Sequence, residues 1–237
     1  MYIYGKNTIR ELLISDTKVK HIYMVKDFDD LEILNLIKKK RITVEIQERK
    51  YIDELVQTHA QGVVAKVPDF EYKSIDYLVS KTKDKEYPLI VMLDQITDVH
   101  NLASIIRVCE CVGVDGIIIP KTRSAEINAT VYKISSGAIF NVDICQVSNL
   151  SNAIKKLKDN SYWIVGSDLE TNNDYTSIDY KMKVCLVIGS EGKGIRNTTR
   201  KHCDFLVKIP MVGKINSLNA SVATGILCYQ IFNDRKE

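Results

Sequence analysis

The sequence predicts an α/β protein with a mostly parallel sheet covered by helices on both faces, and three observations carry that prediction. Short apolar runs suited to buried strands alternate with stretches whose apolar residues recur at helical spacing. This strand–helix rhythm runs along nearly the whole chain, as parallel sheets require. Polar or glycine-rich segments follow the apolar strands directly, at the strand ends where open α/β sheets collect ligands.

Taken in order, a helix near 7–14 leads to a strand at 21–25, a helix at 29–40, a strand at 43–46, a helix at 49–57 and a strand at 62–66. These make a small α/β sandwich. The charged stretch from about 69 to 87, with a modest helical pattern around 75–80, reads as a linker. The rhythm then resumes with a strand at 89–93, a helix after Asn101, a strand at 116–119 and a helix near 128–133. A strand at 142–145, a helix at 150–160, strands at 162–166, 184–188 and 205–209, and a final helix at 217–232 complete it. The expected division is therefore a first domain over 1–68, a linker over 69–86 and a second domain over 87–237. With 237 residues and 45% hydrophobic content, the chain can bury one large core or two smaller ones.

Three segments of the second domain concentrate polar chemistry. In the first, a buried strand ending at Asp94 runs into Asp98, Val99, His100 and Asn101, ahead of a stripe formed by Leu102, Ile105, Ile106, Cys109 and Val112. Asn101 stands where an N-cap is expected, and Arg107 falls on the other face. An arginine there is either a solvated surface group or a partner for phosphate or hydroxyl. In the second, Gly189-Ser190-Glu191-Gly192-Lys193-Gly194-Ile195-Arg196 follows the strand 184–188. Its glycines let backbone approach a ligand, but the spacing matches neither a phosphate-binding P-loop nor a dinucleotide fingerprint. Glu191 would repel phosphate and suits a cation anchor or a turn cap. In the third, residues 209–225 join an apolar strand to a helix, and Ser217, Asn219 and Ser221 can cap that helix or reach a ligand, while Gly213 and Gly225 allow tight turning and close packing.

Composition constrains partners only loosely. The formal net charge is +3, so RNA contact must come from local clusters such as Lys38, Lys39, Lys40 and Arg41, Lys155 with Lys156, or Arg196 with Arg200 and Lys201. Each such cluster is more often just a solvated helix face. Six cysteines without paired spacing, no leader and no long apolar run point to a reducing, cytoplasmic setting without membrane attachment. Cys109 and Cys111 lack the second pair that a zinc site needs, so no metal is expected, and Cys145, Cys185, Cys203 and Cys228 read as core positions.

The three segments, in this order and spacing, resemble the ordered motifs of the SpoU/TrmH branch of the SPOUT RNA methyltransferases. The first domain resembles the small ribosomal-protein-L30e-like RNA-binding domain of the RlmB-like members, through Tyr4-Gly5-Lys6-Asn7-Thr8-Ile9 and His59-Ala60-Gln61-Gly62-Val63-Val64-Ala65. The resemblance thus covers essentially the whole chain. It implies an N-terminal L30e-like sandwich followed by a SPOUT domain with a C-terminal trefoil knot, an obligate homodimer, and S-adenosyl-L-methionine as cofactor. The activity implied is methylation of a guanosine ribose 2′-hydroxyl in 23S ribosomal RNA, with no DNA partner. Transfer RNA is the alternative substrate within the family. By motif matching, Gly189, Ile209 and Leu218 contribute backbone or apolar contacts to the cofactor, with Ser217 and Asn219 shaping the pocket. Arg107 matches the family's proposed base, although a guanidinium stays protonated and suits phosphate alignment and alkoxide stabilisation better. Asn101 and Glu191 are assigned to orienting Arg107 or the substrate ribose. Two departures stand out, Val99 where relatives carry Pro and Ala103 where they carry Gly. Lys6, Asn7, His59 and Gln61 are either RNA contacts or turn and cap residues.

Two other classes make different demands. A non-catalytic RNA-binding or ribosome-assembly protein on this fold would have lost the cofactor-pocket residues, which persist here. A nicotinamide-dependent oxidoreductase requires a complete glycine fingerprint, which is missing.

Overall fold

Strand and helix alternate as the apolar periodicity demands, and the computed structural model describes residues 1–215 and 217–236. Asn216, inside the polar run, and Glu237 lie outside the described residues. The first elements are β1 (Tyr2–Tyr4), α1 (Lys6–Ile14), β2 (His21–Met24), α2 (Leu31–Lys40), β3 (Val44–Ile46), α3 (Arg49–Val56) and β4 (Val63–Lys66). There follow α4 (Ile75–Lys81), β5 (Leu89–Asp94), α5 (Val99–Cys111), β6 (Gly116–Pro120), α6 (Ala129–Ile134), β7 (Ile144–Val147) and α7 (Leu150–Lys158). The last are β8 (Trp163–Ser167), β9 (Val184–Gly189), α8 (Asn197–Arg200), β10 (Phe205–Val207) and α9 (Ala220–Asp234).

The chain forms two compact units, one of Met1–Glu71 with Glu126–Asn141, the other of Tyr72–Ala125 with Val142–Glu237. These boundaries differ from the division at 68 and 87. In the first unit the strand order is β1-β4-β2-β3, with β2 and β3 parallel and the other pairs antiparallel. Tyr4, Val25, Ile52 and Val64 form a core cluster there, and Ile9, Leu12, Leu13, Ile33 and Ile37 of α1 and α2 are also buried. Helix α6 belongs to this unit. Thr8 Oγ1 donates to the Tyr132 carbonyl at 3.3 Å, and Lys133 Nζ stands 4.7 Å from the Tyr4 ring centroid. Gly137 is obligatory in the same place, because a Cβ would meet Glu11 Cβ at 2.4 Å.

The sheet of the second unit is parallel at every pairing, in the order β10-β8-β9-β5-β6-β7. The chain leaves β5 toward β6 and β7, then returns to the other side for β8, β9 and β10, so β5 and β9 flank the point where strand order reverses. Ligand crevices in parallel sheets open there. The stretch read as a linker is part of this unit: Leu78 of α4 is fully buried with Ile90, Met92, Ile118, Cys185 and Val187. Gly116 makes room for it, since a Cβ there would lie 2.5 Å from Leu78 Cδ2. Burying that leucine contributes about 2 kcal/mol, which its charged sequence neighbours conceal.

Two helix starts also differ from the sequence reading. Helix α5 is capped by Asp98, whose Oδ1 accepts from the backbone of His100 at 2.7 Å and Asn101 at 2.9 Å, so Asn101 lies within the helix. Helix α9 begins at Ala220, with Asn219 as its cap, and Ser217 precedes it outside any helix or strand.

Candidate active site

The end of β9 shapes the site. Residues 190–194 fold back on themselves, Ser190 and Gly194 exchanging two backbone hydrogen bonds of 3.2 and 2.9 Å. A Cβ on Gly189 would lie 2.1 Å from the Gly194 carbonyl carbon and 2.3 Å from the Ile195 nitrogen. Only glycine lets the loop return so close over the strand. The loop is anchored on the neighbouring strand by Asp94, which is fully buried. Its Oδ1 accepts from Arg196 Nε at 2.6 Å and its Oδ2 from the Arg196 backbone nitrogen at 3.1 Å. A buried carboxylate needs such partners. Arg196 is therefore a loop anchor, and Arg200 is likewise paired with Asp168 and, at 3.4 Å, with Glu170. Of the Arg196, Arg200 and Lys201 cluster read as a candidate RNA contact, the two arginines are committed to these internal pairs.

Glu191 ties the three polar segments together. Its Oε1 accepts from Asn101 Nδ2 at 3.1 Å, from the Ala220 backbone nitrogen at 3.2 Å and from Asn219 Nδ2. Asn219 Nδ2 also lies 2.8 Å from Asn101 Oδ1, while Asn219 Oδ1 accepts from the backbone and hydroxyl of Ser221 at 2.9 and 2.6 Å. The carboxylate thus sits at the N-terminus of α9, where unpaired N–H groups and the helix dipole favour negative charge. Among the described residues its partners are two amides and a backbone nitrogen, and no basic group pairs with it.

Between this network and the sheet lies a cavity of about 250 Å³. Gly189, Glu191, Ile209, Ser217 and Leu218 all line it, as do the rest of the 190–195 loop, Met211, and Ala220 and Ala223 of α9. Ser167, Asp168, Leu169 and Glu170, beyond β8, close another side. Backbone edges beside apolar walls suit a flat heteroaromatic ligand with a polar rim. Asn101 and Asn219 reach the site through Glu191 without lining the cavity. Arg107 does not line it either and lies on the exposed side of α5. Sequence reasoning missed the pairing of Asp94 with Arg196 and the whole of the 167–170 segment. Asp94 carried a signal, a carboxylate closing an otherwise wholly apolar strand; the 167–170 segment carried none.

A parallel α/β domain whose cavity opens at the reversal of strand order, walled by a back-folded glycine loop, defines a cofactor-binding enzyme class. The chain belongs to the SpoU rRNA methylase family, whose model matches residues 88–229, and residues 2–73 match the RNA 2′-O ribose methyltransferase substrate-binding domain. It is an S-adenosylmethionine-dependent RNA methyltransferase of the SpoU/TrmH family. A Bacillus subtilis protein, YacO, named as a TrmH family tRNA/rRNA methyltransferase, is 40% identical over 99% of this chain and 96% of its own length. A Staphylococcus saprophyticus protein of the same description is 40% identical over 98% and 95%. Among solved structures, the SpoU methyltransferase AviRb of Streptomyces viridochromogenes superposes with a TM-score of 0.87 at 23% identity, over 100% of this chain and 90% of that one. AviRb is also known in complex with AdoMet, with a TM-score of 0.86. An AdoMet-bound rRNA methyltransferase of Sinorhizobium meliloti gives 0.82 at 24% identity, over 98% and 86%.

Proposed function

We propose that the chain methylates a ribose 2′-hydroxyl, that of a guanosine in large-subunit (23S) ribosomal RNA. The observation that carries the site assignment is the hydrogen-bond set of Asn101, Glu191 and Asn219 at the edge of the glycine-walled cavity. When bound, S-adenosylmethionine supplies an electrophilic methyl on a good leaving group. Gly189 would hold the cofactor by backbone at the end of β9, Ile209 and Leu218 would give it apolar walls, and Ser217 would shape the same pocket. The loop that Gly189 lets fold back over β9 forms the cavity wall that such a ligand would meet.

The remaining residues align and activate the hydroxyl, which is most of what the transfer needs. Arg107, whose planar guanidinium matches phosphate, clamps the RNA phosphate and stabilises the emerging alkoxide. Glu191, Asn101 and Asn219 orient the ribose. Since Arg107 lies off the cavity wall, we assign it to a site completed near the interface of a homodimer. Helix α9 supports that assembly: it is apolar nearly all round, and Val222 and Tyr229 are 49% and 45% exposed. We further propose that the C-terminal segment is threaded as a trefoil knot, that residues 1–68 act as an L30e-like RNA-binding domain, and that the protein works in the cytoplasm.

The choice of ribosomal RNA is supported by extent. Relatives of solved structure described as rRNA methyltransferases span 98% of the chain, whereas the Aquifex aeolicus TrmH/SpoU tRNA modifying enzyme spans 68%, at 30% identity and a TM-score of 0.59. Calorimetry with S-adenosylmethionine tests the cofactor site, and absence of binding at millimolar cofactor sinks the catalytic reading. Mapping 2′-O-methyl groups in cells with and without the gene tests the substrate. A mark lost from ribosomal RNA is expected, and one lost only from transfer RNA overturns that choice.

A further inference from the structure

Charge is distributed very unevenly over the unit that begins at Met1. Strand pairing sets Tyr2 and His21 opposite Lys66 and Ile22 opposite Val44, so the starts of β1, β2 and β3 and the end of β4 share one pole of the sheet. The 15–20 loop and the end of α2 meet there: Lys40 Nζ donates to the Ser15 carbonyl at 2.6 Å, and the Lys20 nitrogen to the Lys66 carbonyl at 2.8 Å. Lys18 and Lys20, the basic run 38–41, and Lys66 are all exposed at this pole. Among the described residues none of them is in an ion pair. The carboxylates nearby are few. Glu45 is bonded to His21 and Gln47, Asp69 to the N-terminal amine, and Asp16 is exposed in the loop.

The opposite pole is neutralised. Lys6 pairs with Asp29 at 2.9 Å, Arg10 with Glu32 at 2.6 Å and Asp30 at 3.1 Å, and Arg49 with Asp27 at 3.6 Å. Lys26, Lys50 and Lys133 are left outside ion pairs near them among the described residues. Cations at the end of α2 also answer the helix dipole, but that accounts for its last turn alone. It does not explain lysines converging from a loop and from β4. Aromatic rings continue the surface: Tyr23 lies 6.1 Å from both Tyr2 and Tyr51 and 4.7 Å from His21, with Tyr51 41% exposed and Lys66 Nζ 5.6 Å from the Tyr2 ring.

We propose that this basic pole is where the unit grips a single RNA strand, phosphates on the 38–41 run, Lys20 and Lys66, and an unpaired base against the Tyr51 end of the aromatic row. Unpaired cations bind phosphate by releasing counterions, and exposed rings accept any base by stacking. This assignment rests on the reading of the chain as acting on RNA, and it places the contact away from the Gly5 and Gln61 turns. The test is fluorescence anisotropy of the full chain with a labelled single-stranded RNA of mixed sequence, across a potassium chloride series. Replacing Lys20, Lys38, Lys39 and Lys66 by Gln is expected to weaken binding by about tenfold or more. The log–log salt slope should flatten by about 0.7 for each phosphate contact removed. Tyr51→Ala should weaken binding with the slope unchanged. The pair Lys26→Gln and Arg49→Gln at the other pole should leave affinity within about twofold of the unaltered chain, as expected for cations that touch no phosphate. Equal or greater loss from that pair overturns the proposal, as does an unchanged slope in the four-lysine variant, or no RNA binding at low salt. Calorimetry with S-adenosylmethionine on the same variants keeps the outcomes apart, since failure of the catalytic reading removes cofactor binding from the unaltered chain and leaves the RNA comparison legible.

Discussion

Gly189 is the residue on which the site geometry depends most directly. Gly189→Ala puts a methyl 2.1 Å from the backbone of Gly194, so the 190–194 loop must shift and the cavity wall with it. Loss of S-adenosylmethionine binding by calorimetry, with the fold retained by circular dichroism, is the expected result; unchanged affinity would show that the loop does not contact the cofactor. Asp94→Ala leaves the Arg196 backbone and guanidinium without their carboxylate. A partly exposed pair of this kind should cost about 2 kcal/mol, read as a lower Tm. Glu191→Ala removes the acceptor shared by Asn101, Asn219 and Ala220. Methyl transfer should fall about 100-fold, the scale seen when a positioning hydrogen bond is lost from an active site, while cofactor affinity changes much less. Glu191→Gln, which keeps an acceptor oxygen, should restore part of the rate.

Helix α4 illustrates how an element's worth can be hidden from its sequence. Its charged flanks read as a linker, yet Leu78→Ala would open a void in a fully packed core and should lower stability by about 3 kcal/mol. A tolerated Leu78→Ala would return 75–81 to the status of a linker. Helix α9 is held at its far end by Arg235, which donates to the carbonyls of Tyr180 at 3.0 Å and Met182 at 2.9 Å. Cys185 on β9 and Cys145 on β7 are buried, and Cys203, just before β10, is partly buried. Burial pushes the Cys145 and Cys203 thiols up to about 12 and that of Cys185 higher still. Iodoacetamide should therefore leave these three untouched in the native protein and modify them in urea, with mass spectrometry as the readout.

For the whole molecule, the apolar outer face of α9 bears on assembly. Val222→Glu with Tyr229→Lys should convert the proposed dimer to a monomer in sedimentation, and should reduce methyl transfer if Arg107 serves a site completed at the interface. A wild-type monomer at micromolar concentration would remove that role from Arg107. Substrate choice belongs to this scale as well, because the unit of Met1–Glu71 and Glu126–Asn141 is built from two stretches far apart in the chain. The apolar run of β1 to β4 announced a small sandwich, but the docking of α6 onto it depends on Tyr132 and Lys133 meeting Thr8 and Tyr4, contacts between residues more than a hundred positions apart.

The sequence by itself determined the α/β class, the parallel character of the second sheet, and the three polar segments at strand ends, because those follow from local periodicity and from glycine and capping chemistry. It also named Asn101, Glu191 and Asn219. Only the tertiary structure decided what those residues do to one another, since a hydrogen bond between Asn101 and Glu191 spans ninety positions and leaves no periodic trace. The same holds for Asp94 on Arg196 and for Leu78 filling the space over Gly116. Burial and pairing are properties of neighbours in space, and the chain writes down only neighbours in order.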